Sequence, residues 1–256
     1  MSGRTRHLLA AIVLSVVVTQ SAFAANGFSK LVVFGDSLND SGNMVQFTGG
    51  VFPAPPLYAY GRQSNGPVWV EYLAKRLGLE HQLLNYAVVG ALTKATAQFP
   101  TGNVWSEDEI NPIPGLEGTD VYSQVLHYLA DANWQADPAA LYVLEGGSND
   151  LMYTPELIVP NQLETLFVLQ SYGARHIVLV NIPDVGKSPR YVTTPLSGYI
   201  SAACGLLNEA LMAYLPAVTL PGVRITIGDM YGFLDSVAAD PEAYGLTNVQ
   251  QAYLTD

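Results

Sequence analysis

The chain has 256 residues, 49% of them hydrophobic and only 13% charged, which excludes a disordered chain and favours one domain with a sizeable core. Its formal charge of −11 argues against nucleic acid and anionic lipid as partners, and solubility is explanation enough for that charge. The first 24 residues read as an export signal: Arg4 and Arg6 precede an apolar run from Leu8 to Val18, and Ala22-Phe23-Ala24 offers small residues for cleavage. That run is too short for a membrane span, so no stable span is expected after cleavage. Removing it leaves nine basic against 22 acidic residues, or −13, on a secreted or periplasmic chain spanning 25–256.

Leu31-Val32-Val33-Phe34 then ends abruptly in Gly35-Asp36-Ser37. An apolar, valine-rich run broken by glycine reads as a buried strand entering a tight turn, with a helical turn after it. Ser37 stands at the strand's C-terminal tip, where open α/β sheets place their ligands, and its N–H would face outward at a point that favours negative charge. A hydroxyl and an anion-binding N–H on one residue suit acyl transfer, although Gly-Asp-Ser alone also fits an ordinary polar turn.

Residues 44–65 read as a loop rich in proline, glycine and aromatics, which either shapes an acyl or alcohol pocket or packs on the surface. A helix is expected over 67–78, stopped by Gly78, and a second strand over Leu83–Ala87, ending before Gly90. Residues 92–118 form a second irregular loop. The acidic run Glu107-Asp108-Glu109 within it lacks the alternating spacing of a calcium loop and reads as a solvated turn. Thr119 or Asp120 caps a helix reaching about Asn133. Strands follow at Ala140–Glu145, His176–Asn181 and Val223–Ile227, separated by helices over Pro155–Tyr172 and 194–215, with a short helix over Tyr231–Val237. Strands alternating with helices predict a parallel sheet between helical layers, with no internal repeat. Cys204, the only cysteine, lies in an apolar helical stretch and reads as a buried inert thiol, so the exported chain has no internal disulfide.

Three ordered motifs now stand on three strand ends: Gly35-Asp36-Ser37-Leu38, then Asn85-Tyr86-Ala87-Val88-Val89-Gly90, then Gly147-Ser148-Asn149-Asp150. Together they resemble the GDSL, or SGNH, family of serine esterases and lipases, and the resemblance covers most of the chain after residue 28. Gly61–Leu73 and Asn181-Ile182-Pro183-Asp184-Val185-Gly186 look like its secreted, lipase-like branch. The resemblance implies a three-layer α/β/α sandwich of flavodoxin type, with a five-stranded parallel sheet in order 2-1-3-4-5. It implies Ser37 as nucleophile, with the Ser37 N–H, the Gly90 N–H and the Asn149 side-chain amide as oxyanion donors, a small-molecule or lipid ester as substrate, and no metal or organic cofactor. Asp36, Asp40, Asn43 and Asp150 read as turn caps and loop braces rather than chemistry.

The general base is not where the resemblance puts it. That family carries Asp-x-x-His near its C-terminus, whereas His7, His81, His127 and His176 have no aspartate three residues before them. Asp240–Val249 resembles the stretch that precedes the missing motif, so the sequence reads as truncated before it. Three functional readings stay open: a secreted carboxylester hydrolase, a non-catalytic acyl- or glycan-binding remnant of the same fold, and a carbohydrate acetylesterase.

Overall fold

The computed structural model describes residues 27–53, 58, 59, 61–105 and 113–251. The export segment at 1–24 and the acidic run at 107–109 therefore lie outside the described residues. Five strands form one parallel sheet: β1 (Leu31–Phe34), β2 (Leu83–Asn85), β3 (Leu141–Leu144), β4 (His176–Val180) and β5 (Arg224–Gly228), in the order β2-β1-β3-β4-β5. Six helices separate or flank them: α1 (Asn43–Phe47), α2 (Trp69–Leu77), α3 (Val121–Asp131), α4 (Pro155–Ser171), α5 (Ser197–Val218) and α6 (Met230–Ala239).

The strands are short apolar runs because both faces of the sheet are covered. Side chains alternate between faces, so Val32, Phe34, Tyr142, Leu144, Ile177 and Leu179 pack against α3, α4 and α5. Leu31, Val33, Leu141, Val143, Val178 and Val180 point the other way, onto Val70, Leu73 and Ala74 of α2, with Met230 of α6 at the margin. A one-residue slip of any central strand would exchange the two sets, which fixes the register. Helix α5 is long and apolar, yet Asn208 on its inner face bonds both the N–H (2.9 Å) and the C=O (2.8 Å) of Ile182, which ties it to the exit of β4.

Several boundaries differ from the sequence reading. Helix α1 opens the stretch read as loop, because Asp40 caps a turn only five residues long. Strand β2 stops at Asn85, although the Tyr86 N–H still donates to Val33 O at 2.9 Å. Helix α5 is shifted three residues towards the C-terminus, to Ser197–Val218, and includes Pro216 in its last turn.

Candidate active site

The turn after β1 is built by Gly35. Its N–H donates to Gln124 Oε1 at 2.8 Å, and its C=O accepts from Gln124 Nε2 at 2.9 Å and from the Val88 N–H at 3.1 Å. A Cβ on Gly35 would sit 2.2 Å from Asn39 Nδ2, so only glycine permits this approach. Asp36 then closes the turn. Its C=O accepts the N–H groups of Asn39 (3.1 Å) and Asp40 (3.0 Å), and its Oδ1 accepts that of Leu38 (3.0 Å). Ser37 rides half-buried on the crest, at the C-terminal edge of the sheet.

Asp40 ties this turn to the next loop. Its Oδ1 accepts from the N–H groups of Gly42 and Asn43, both at 2.7 Å, and its Oδ2 from those of Met44 and Val89, both at 3.0 Å. Asn43 adds side-chain bonds to Asn85 O (2.9 Å) and Ala87 O (2.8 Å). Gly90, directly after Val89, has φ +79°, and its C=O accepts the Val104 N–H at 3.0 Å. Among the described residues, the backbone N–H groups of Ser37 and Gly90 and the Ser37 hydroxyl have no protein partner. The third loop closes over both: Asn149 Nδ2 donates to Ala91 O at 2.9 Å and, more weakly, to Asp36 Oδ2 at 3.3 Å. The segments carrying Ser37, Gly90 and Asn149 are thus bonded to one another at the C-terminal ends of the neighbouring strands β1, β2 and β3.

Gly90→Ala is expected to fail on two counts. The positive φ is unfavourable for any residue with a Cβ, and that Cβ would stand 2.2 Å from Trp105 Cδ1 and 2.7 Å from Asn103 Oδ1. Together these should cost about 2–4 kcal/mol of stability. Thermal unfolding checks this, and a loss under about 1 kcal/mol would show that the loop yields freely.

The profile of the GDSL-like lipase/acylhydrolase family matches residues 31–247. The chain belongs to that family. Among relatives, the thermolabile hemolysin of Vibrio parahaemolyticus is 30% identical over 241 residues, covering 91% of this chain and 53% of the hemolysin. The phosphatidylcholine-sterol acyltransferase of Aeromonas hydrophila is 28% identical over 249 residues, covering 93% of this chain and 69% of that enzyme. The chain therefore spans about half the length of the hemolysin and about two thirds of the acyltransferase. A solved member of the lipolytic protein G-D-S-L family from Veillonella parvula aligns over 83% of this chain and 82% of its own, at 15% identity and a TM-score of 0.49.

In and beside the GDSL turn, Asp36, Asp40, Glu145 and Asp150 are buried acids. Burial pushes Asp36 up to about 6 against the opposing Leu38 N–H bond. It also pushes Asp150 up to about 6, although Asp150 accepts from the Thr93 N–H at 3.1 Å and from the Thr93 hydroxyl at 2.6 Å. Glu145 is held well above the usual carboxylate range, first by burial and then by the charge of Asp36. Among the described residues, no lysine or arginine pairs with any of them. The motif residues Asp36, Asp40, Asn43 and Asp150 do brace loops, as the sequence suggests. Glu145 and Gln124 were not anticipated. Their only signal is a charged or amide group closing an apolar strand or sitting on the apolar face of a helix.

None of the described histidines is hydrogen-bonded to Ser37. His81 lies in the exposed 3-10 turn before β2, and His176 opens β4 with its ring 5.4 Å from that of Phe28, so both are at the N-terminal edge. His127 is on the exposed side of α3 and borders a cleft of about 490 Å³ shared with Asn43, Phe47, Tyr86 and Gln124, on the β2 side of the sheet. No set of side chains suited to holding a metal ion occurs among the described residues. Cys204 is fully buried against the exit of β4, and burial raises its thiol pKa, which makes it inert.

Proposed function

We propose that this GDSL chain hydrolyses carboxylic esters through an acyl-enzyme on Ser37. The observation that carries the reading is that the N–H groups of Ser37 and Gly90 and the Ser37 hydroxyl are all unpartnered, in two loops that Asp40 and the Val88 N–H tie together. In the reaction, Ser37 Oγ attacks the ester carbonyl and gives up its proton to a general base. The carbonyl oxygen takes up the negative charge between the two backbone donors. Asn149 Nδ2 joins them by exchanging its long bond to Asp36 for one to the oxyanion, an exchange favoured as charge develops. Collapse expels the alcohol, and water then releases the acid.

A lipid-like or otherwise apolar acyl group is the favoured substrate. Leu38 beside the nucleophile is 41% exposed, and Met152 and Tyr153, just past Asn149, are 55% and 49% exposed, so apolar surface adjoins the site. The names of the relatives, a hemolysin and a phosphatidylcholine-sterol acyltransferase, support the same class. The N-terminal segment at residues 1–24, read as an export signal, supports action outside the cytoplasm.

Asn149→Ala in the protein expressed from its full coding sequence tests the oxyanion assignment. The expected result is a kcat lower by roughly 10²–10³-fold on a p-nitrophenyl ester, with little change in KM, as for one donor made only in the transition state. A raised KM at unchanged kcat would assign Asn149 to ground-state binding instead.

A further inference from the structure

We propose that Glu145 is a neutral carboxylic acid whose O–H donates to the side-chain oxygen of Asn39, and that this acid–amide pair positions the turn carrying Ser37. The positioning role rests on Ser37 being the nucleophile; the protonation does not.

The argument begins with an imbalance of donors. Glu145 is 2% exposed and Asn39 fully buried, and Asn39 Nδ2 donates to Glu145 Oε2. The remaining oxygens of the pair, Asn39 Oδ1 and Glu145 Oε1, are both buried without a partner. Both are acceptors, so a carboxylate leaves each orphaned in a place where orphans are costly. One proton on Glu145 Oε1 supplies the missing donor. A carboxylic acid and a primary amide then close a two-bond ring, N–H to the acid carbonyl and O–H to the amide oxygen.

The surroundings favour that proton. The charged group acting on Glu145 is Asp36, from the turn after β1, and it is acidic; the Asp36 backbone N–H and the Asn39 amide pull the other way, towards the carboxylate, but burial and the Asp36 charge outweigh them. Two carboxyls sharing a buried site do not both ionise. The other sides are uncharged. Val121 of α3, Gln162 and Thr165 of α4 and Thr93 of the loop after β2 line a cavity of about 10 Å³ beside Glu145, too small for a hydrated counter-ion. Gln162 Oε1 is a further buried acceptor without a partner, so it brings no proton either.

The pair is also well placed to hold Ser37. The Glu145 N–H donates to Phe34 O at 3.1 Å, which fixes it to the sheet. Asn39 closes the turn through its N–H on Asp36 O at 3.1 Å, and its own C=O accepts from Asn85 Nδ2 at 2.7 Å. The acid therefore anchors the far side of a turn whose crest is the nucleophile.

Infrared spectroscopy of the full chain at pH 8 tests the protonation. Asp36 and Asp150, at about 6, are then ionised, whereas Glu145 should still show the carbonyl stretch of a protonated acid. The band should vanish in E145Q. Its absence from the wild type at pH 8, or its persistence in E145Q, overturns the proposal. E145Q can make both bonds of the ring and should melt within about 2 °C of wild type, while E145L should melt on the order of 5–10 °C lower. E145Q failing to fold, or melting as low as E145L, would equally overturn it. A raised folded pKa also means that the stability linked to Glu145 is present at low pH and lost as pH rises through that pKa. The decline sets in above the ordinary carboxyl range, already at mildly acidic pH, and levels off above the raised pKa; E145Q should lack it, and an identical decline in both proteins counts against the assignment. None of these readouts uses catalysis, so a failure of Ser37 as nucleophile would leave them intact.

Discussion

Ser37→Ala, in the protein expressed from its full coding sequence, is expected to lower ester turnover by on the order of 10⁴-fold or more while leaving the fold intact. The two halves of that statement have separate causes. The hydroxyl is the atom that forms the acyl bond, so no other part of the site replaces it. Among the described residues it makes no hydrogen bond, and Ser37 is half-buried on the crest of its turn, so removing it orphans nothing. The melting temperature should therefore stay within about 2 °C of wild type. The residual rate should be that of the backbone donors and of substrate binding alone. A fluorophosphonate probe followed by peptide mass spectrometry gives the direct reading, with the adduct on the Ser37 peptide in the wild type and nowhere in the mutant. Cys204 is the obvious rival nucleophile, but it is fully buried with its thiol pKa raised, and it should stay unlabelled. Undiminished turnover in a well-folded Ser37→Ala protein would assign the chemistry to another residue.

Much of this molecule can be read in its sequence because the strands advertise themselves. Leu31–Phe34, Leu141–Leu144 and His176–Val180 are runs of branched and aromatic residues, each followed within a few positions by a glycine or an asparagine, and a sheet covered on both faces calls for that pattern. Once five such runs alternate with helices, few sheet orders remain, and β2-β1-β3-β4-β5 is the one observed. Helix α1 was hidden for the opposite reason. Five residues carry too little periodicity, and its cap is an aspartate three residues upstream that also serves a distant loop. The site divides in the same way. Ser37, Gly90 and Asn149 stand in motifs and at strand ends, where local signals are strong. The partners of these residues are non-local. Gln124 reaches Gly35 across 89 positions, and Glu145 meets Asn39 across 106, so no window of sequence contains both members of either pair. That both Asn149 N–H groups already have acceptors, in Ala91 O and Asp36 Oδ2, is equally invisible until the loops are folded together.

Asp40→Ala should be the most destabilising single change in these loops. One buried carboxylate satisfies four backbone N–H groups, of Gly42, Asn43, Met44 and Val89. Alanine would leave all four without an acceptor. Each buried orphan costs about 1–3 kcal/mol, and partial relaxation should hold the total to about 3–5 kcal/mol, or on the order of 10 °C in melting temperature. Asp40→Asn is the sharper comparison. Its single oxygen can serve Gly42 and Asn43, but its amide hydrogens would then face the Met44 and Val89 N–H groups, so it too should destabilise, by an intermediate amount. Activity should fall in both variants even where the fold survives. The first turn of α1 and the residue before Gly90 hang on the same side chain, so losing it removes one of the ties that hold the nucleophile turn and the oxyanion loop together, beside those of Asn43, Asn85 and the Val88 N–H. Urea unfolding separates the outcomes. A loss under about 1 kcal/mol for Asp40→Ala would mean that water replaces the carboxylate, and this side chain would then not be what holds the two loops in register.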